Sequence, residues 1–145
     1  LSPFMGFDSI EPYLRYPDKG AILLCRTSNA GGNDWQMQRL ADVEGQPRLF
    51  EHLAALAQTQ WNKNGQLGLV VGATYPEEIA RVRALDPTLP LLIPGVGAQG
   101  GDAEATVKAH LTAVFRKLGV SNRAQALLAV RPLLQLPVAA EDTTA

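Results

Sequence analysis

A single cysteine in 145 residues excludes an intrachain disulfide and any cysteine-rich metal site. Cys25 closes the apolar run Ala-Ile-Leu-Leu-Cys, and a lone thiol in such a run suits a reducing, cytoplasmic setting. The only two histidines, His52 and His110, have no second ligand at metal spacing, so no metal is expected. Neither sign of charge is in excess: 13 basic and 14 acidic residues leave −1, which gives no global attraction to a nucleic-acid backbone. No apolar run approaches the roughly 20 residues of a membrane helix, and no basic stretch followed by an apolar one marks a secretion signal. Trp35 and Trp61, near loops and helix ends, are expected to anchor the core.

What is present suffices for one core. At 46% hydrophobic the chain can bury one, and it is too short for two ordinary domains, so a single domain over 1–145 is expected. Three short apolar runs bounded by turn residues predict strands over 21–26, 67–73 and 89–94. Each is apolar at consecutive positions, as parallel strands covered on both faces would be. Between them lie a Ser-, Asn- and Gly-rich loop over 27–34 and a helix over 47–61 with Leu49, Leu53, Leu56 and Ala57 on one stripe. A second helix follows, with Pro76 in its first turn and Glu77 and Glu78 complementing its dipole. Past a glycine-rich connector at 95–101 the chain reads as helical to about 135 with a break at 119–122. The stripe Val107, Leu111, Val114, Phe115 and Leu118 is expected to pack on the sheet. Asn122 should cap a second helix bearing Leu127, Leu128, Val130 and Leu134, and the tail 136–145 should fray. The fold expected is α/β: a small parallel sheet of three to four strands with packed helices and a C-terminal helical pair. A start at Leu1 is expected of a trimmed fragment.

Several motifs occur in one order. Ser2-Pro-Phe-Met-Gly-Phe-Asp-Ser-Ile-Glu-Pro-Tyr13, Leu24-Cys-Arg-Thr-Ser-Asn-Ala-Gly-Gly32, Leu67-Gly-Leu-Val-Val-Gly-Ala-Thr74 and Leu92-Ile-Pro-Gly-Val-Gly-Ala-Gln-Gly-Gly101 are among them. Over about 1–108 they resemble the bacterial orotidine 5'-phosphate decarboxylases. The resemblance implies half of a (βα)₈ barrel, running from the end of strand 4 to strand 7. It also implies a lyase that works without a cofactor, through an Asp-x-Lys-x-x-Asp array on strand 3 that these residues do not contain. Electrostatic preorganisation of that kind is usually the largest catalytic term, so no intact enzyme activity is expected. By the same resemblance Ser28 contacts the pyrimidine, and Gly97, Gln99, Gly100 and Gly101 close over the substrate phosphate. Their glycine amides would converge on the anion. Orotidine or uridine monophosphate is the alternative ligand at the 95–101 loop, against the favoured reading that these glycines permit a tight strand-to-helix turn.

The stretch Ala105-Thr-Val-Lys-Ala-His-Leu-Thr-Ala-Val-Phe-Arg-Lys-Leu-Gly-Val-Ser-Asn-Arg-Ala-Gln-Ala126 resembles the last two helices of LuxR/NarL-type helix-turn-helix domains, over about 102–135. That resemblance implies a chimera, natural or engineered, joined within 102–109. Lys108, Ala109 and Thr112 would face a major groove, with Arg116, Lys117 and Arg123 near phosphates. The scaffold helices that hold a recognition helix in its groove are absent, and the neutral charge argues against DNA as a partner. A half barrel exposes an apolar face and unpaired strand edges, so a homodimer is expected. Glu77 and Glu78 are expected to serve the helix dipole and no acid-base role.

Overall fold

The computed structural model describes residues 1–97, 99–117, 119–122 and 125–126. After a single 3₁₀ turn at Phe7–Ser9 the chain runs α1 (Glu11–Leu14), β1 (Ala21–Arg26), α2 (Asn33–Gln36), α3 (Leu49–Leu56), β2 (Leu67–Val71), α4 (Pro76–Leu85), β3 (Leu91–Leu92) and α5 (Ala103–Lys117). The strands form one parallel sheet in the order β1-β2-β3, the small α/β fold that the apolar runs predict. Such parallel neighbours need crossovers, and the segments bearing α3 and α4 supply them. The predicted third strand shrinks to two residues because Pro90 and Pro94, which lack an N–H, flank it.

The expectation that both sheet faces are covered does not hold. Leu23, Cys25, Leu69 and Val71 point into a layer made by Phe50, Leu53, Ala54, Ile79 and Val82 of α3 and α4. Ile22, Leu24 and Leu92 on the opposite face are 43, 44 and 52% exposed. Among the described residues, the helical cover therefore lies on one side.

Local signals set the helix starts. Glu51 accepts the backbone N–H of Arg48 at 2.7 Å to cap α3, and its other oxygen receives Arg81 of α4 at 3.1 Å. Pro76 opens α4 where its missing N–H costs nothing. The 47–61 helix changes at Ala57 into a π-helical turn that carries Trp61, whose ring lies against that of Phe7. Asp102 caps α5, its carboxylate accepting the N–H groups of Glu104 and Ala105. Asn122 caps residue 125 in the same way, as its sequence position predicts.

The packing face of α5 differs from the predicted stripe. Val107 and Leu111 are 55 and 40% exposed, whereas Thr106 is buried, Ala109 packs against the core and His110 meets Arg83 of α4. Small residues face α4 because the two helices approach closely, which leaves the larger apolar ones outward. Leu118 and the side chain of Val114 lie outside the described residues, as do the predicted second helix with Leu127, Leu128, Val130 and Leu134, and the tail 136–145.

Candidate functional site

Parallel strands bring their carboxyl ends to one side of a sheet, and the loops that leave them meet there. The segment after β1 starts with Thr27 and Ser28. Gly72 follows β2, and its N–H donates to Arg26 O at 2.8 Å, while Ala73 N–H donates to Pro94 O at 2.9 Å. These two bonds carry the sheet pairing beyond the regular strands and draw the three loops together.

Glycine makes the approach possible. A Cβ at Gly72 would collide with Ser28 Oγ, and one at Gly95 would stand 3.2 Å from Ser28 Oγ and 2.8 Å from Gln99 Oε1. Gly95 also has φ of 94°, a conformation that side-chain-bearing residues rarely adopt. Ser28 and Gln99, predicted as ligand contacts from distant parts of the chain, thus stand on either side of one glycine. Gln99 is exposed and Ser28 half-buried, so both are open to a small polar molecule.

The described amides of Gly97, Gly100 and Gly101 bond within the loop, the tight-turn arrangement, and do not converge on open space. Gly97 N–H donates to Gly101 O at 2.9 Å, Gly100 N–H to Gly97 O at 2.8 Å and Gly101 N–H to Gly95 O at 3.0 Å. The loop closes on itself because φ values of 74° at Gly97 and 83° at Gly100 fold it into tight turns. What it presents outward is the Gln99 carboxamide.

Beneath this surface lies a buried polar group that sequence reasoning missed. Arg26 and Glu78 are 1 and 2% exposed, and Nε of the arginine donates to Glu78 Oε2 at 2.5 Å. The guanidinium also donates to Thr27 O, to Gln36 Oε1 and to Asn33 Oδ1, at 3.1, 3.1 and 2.6 Å. Its carbon stands 5.1 Å from the centre of the Tyr75 ring. The expectation that Glu78 only serves the helix dipole is therefore too narrow. Sequence carries no local signal for the pair: Arg26 ends β1 and Glu78 lies in the first turn of α4, the third helix after it. Neighbouring Cys25 donates to Phe50 O at 3.3 Å, and burial pushes its thiol up to about 12, against the pull of the Arg26 charge, while the nearby Glu78 carboxylate adds to the rise. That rules it out as a thiolate nucleophile.

An apolar cavity of about 260 Å³ beside β1, lined by Phe4, Leu24, Trp35, Phe50 and Trp61, does not include Ser28 or Gln99. Among the described residues no cluster of three or more His, Cys, Asp or Glu could hold a metal ion. None of the described helices is long and apolar enough to cross a membrane. On α5, Lys108 and Thr112 are exposed, with Thr112 Oγ1 donating back to Lys108 O at 2.8 Å. Ala109, predicted beside them on a groove-facing surface, packs against the core instead. The side chains of Arg116 and Lys117, and Arg123 as a whole, lie outside the described residues.

The model of the orotidine 5'-phosphate decarboxylase / HUMPS family matches residues 1–122. The orotidine 5'-phosphate decarboxylase of Leptothrix cholodnii is 86% identical over 111 residues, 77% of this chain and 39% of that protein. The enzyme of Methylibium petroleiphilum is 84% identical over 109 residues, 75% of this chain and again 39% of its own length. The chain thus spans well under half of the curated relatives it matches. Among solved structures, Leishmania donovani UMP synthase superposes with a TM-score of 0.69 at 53% identity, over 74% of this chain and 23% of that one. Leishmania donovani OMP decarboxylase gives 0.66 at 48% identity, over 74% and 40%. These matches overturn the reading of a chimera. The family model continues through the supposed junction at 102–109 and across most of the helix-turn-helix-like stretch, and no match supports a LuxR/NarL part. The chain belongs to the orotidine 5'-phosphate decarboxylase / HUMPS family and spans a portion of the length of its curated relatives.

Proposed function

We propose that this chain carries the base- and phosphate-contacting part of an orotidine 5'-phosphate decarboxylase site, with orotidine or uridine monophosphate as its ligand. The observation that carries this reading is the meeting of Ser28 Oγ and the Gln99 carboxamide across Gly95. A serine hydroxyl and a carboxamide between them offer donors and acceptors, which suits the alternating carbonyl and N–H edge of a pyrimidine. Ser28 is assigned to the base. Gln99, with Gly97, Gly100 and Gly101 shaping its loop, is assigned to the phosphate end. Proton delivery to the ring carbon is outside what these residues supply, because no Asp-x-Lys-x-x-Asp array is among them.

Titration with uridine 5'-monophosphate, followed by amide NMR, tests the assignment. Shifts confined to Ser28, Gly95 and residues 97–101 are expected, with inorganic phosphate moving only the 97–101 subset. Unchanged spectra at millimolar nucleotide would refute it. A buried free thiol is compatible with a reducing, cytoplasmic setting. The exposed apolar sheet face favours self-association into a homodimer.

A further inference from the structure

We propose that Arg26 is the positioning residue of this site: its buried guanidinium holds the 27–36 loop so that Ser28 stands at Gly95, opposite Gln99. The ligand in this inference rests on the nucleotide reading above, while the control of the loop rests on geometry alone.

Strict alternation along β1 would place Arg26 on the open sheet face with Ile22 and Leu24. The pairing register prevents this. Leu24 pairs with Val70 and Arg26 with Val71, so Cys25 is an extra residue and the strand carries a bulge. Bulges re-aim side chains, and this one turns Arg26 into the helical layer. There Glu78 holds one side of the guanidinium, and the rest of the fork reaches forward to Thr27 O, Asn33 and Gln36. Gln36 completes the clamp. Its Oε1 accepts Thr27 N–H at 2.9 Å, and its Nε2 donates to Thr27 Oγ1 at 2.9 Å.

Thr27 is therefore held through its carbonyl, its N–H and its hydroxyl, and Ser28 is the next residue. No slack is left around it. A Cβ at Gly32 would stand 2.8 Å from both Arg26 Nη1 and Thr27 Oγ1, so the loop closes directly over the clamp. A planar fork with several fixed donors can serve three acceptors and a carboxylate together, which a lysine ammonium cannot do in the same plane. Arg26 touches neither Ser28 Oγ nor Gln99, so its influence passes through the loop.

The test uses the whole chain with Gln36→Ala, Gln36→Glu and Arg26→Lys, read by NMR and by uridine 5'-monophosphate titration. Gln36→Ala removes one acceptor shared by Arg26 and Thr27 N–H. It should abolish the Ser28–Gly95 nuclear Overhauser contact and weaken nucleotide binding about tenfold, as expected for one hydrogen bond's worth of lost preorganisation. Binding of inorganic phosphate should not change. Gln36→Glu keeps the acceptor and should restore the contact, which general loss of packing would not explain. Arg26→Lys should behave as Gln36→Ala does; should it fail to fold, the Gln36 pair decides. An unchanged Ser28–Gly95 contact and unchanged nucleotide affinity in Gln36→Ala would overturn the proposal. If the parent chain binds no nucleotide, the reading of the ligand fails, and the ligand-free contact still decides whether Arg26 and Gln36 position Ser28.

Discussion

At the scale of single residues, the most consequential group is the Arg26–Glu78 pair, because neither partner can reach water. Removing one member leaves an uncompensated buried charge, which costs about 3–5 kcal/mol, whereas replacing both by apolar residues of similar volume is often neutral. Glu78→Ala is therefore expected to lower the urea midpoint sharply, and Arg26→Met combined with Glu78→Leu to recover most of the loss. A double variant as unstable as Glu78→Ala would show that the three other bonds of Arg26, and not the ion pair, hold the fold. Gly72 makes a separate prediction. Gly72→Ala drives a methyl into Ser28 Oγ and to 2.9 Å from the Ser28 backbone nitrogen, so Ser28 itself must move. The variant should stay folded by circular dichroism, and the nucleotide-induced shift at Ser28 should vanish.

At the scale of elements, α4 and α5 are joined by a contact that senses pH. Arg83 Nε donates to His110 Nδ1 at 3.1 Å, and the same arginine caps the end of α4 through the carbonyls of Pro87 and Leu89. Burial, with the Arg83 charge adding to it, holds the folded pKa of His110 below its usual 6.5. Well above that value both states are neutral and the group contributes no pH dependence. As pH falls through 6.5, the unfolded chain takes up a proton that the folded one resists, so stability is lost on acidification. Melting temperature should fall between about pH 7.5 and 5.5, and His110→Asn, which keeps an acceptor for Arg83, should flatten that fall. The sequence shows β1 to the residue, and it shows the start of α4 through Pro76, because both depend on neighbouring residues. Ser28 and Gln99 come from motifs that the resemblance carries, and the structure brings both beside Gly95. The Arg26–Glu78 pair is not legible, since it joins residues 52 apart and depends on a bulge that leaves no pattern in composition. The exposed side of α5 is not legible for a related reason: Val107 and Leu111 repeat at helical spacing, yet Thr106, Ala109 and His110 are the residues turned inward.

At the scale of the whole molecule, the sheet has one covered face and one open face, and the open one is apolar. Ile22, Leu24 and Leu92 project from it, while Leu1 lies along the outer edge of β1, its ammonium donating to Ile22 O at 2.7 Å and its carbonyl accepting Leu24 N–H at 2.9 Å. Leu1 therefore sits where a further parallel strand would pair, and the curated relatives of which this chain spans 39% contain more protein than is described in these residues. In the isolated chain the same surface is expected to favour self-association, because contiguous exposed apolar side chains gain by leaving water wherever a partner surface is present. Light scattering coupled to size exclusion should show a concentration-dependent dimer for the parent chain. Ile22→Ser with Leu24→Ser should shift it to monomer. Both side chains are already exposed, so the double change should alter unfolding free energy by no more than about 1 kcal/mol. A parent chain that stays monomeric across a hundredfold range of concentration would show that this face is silent by itself.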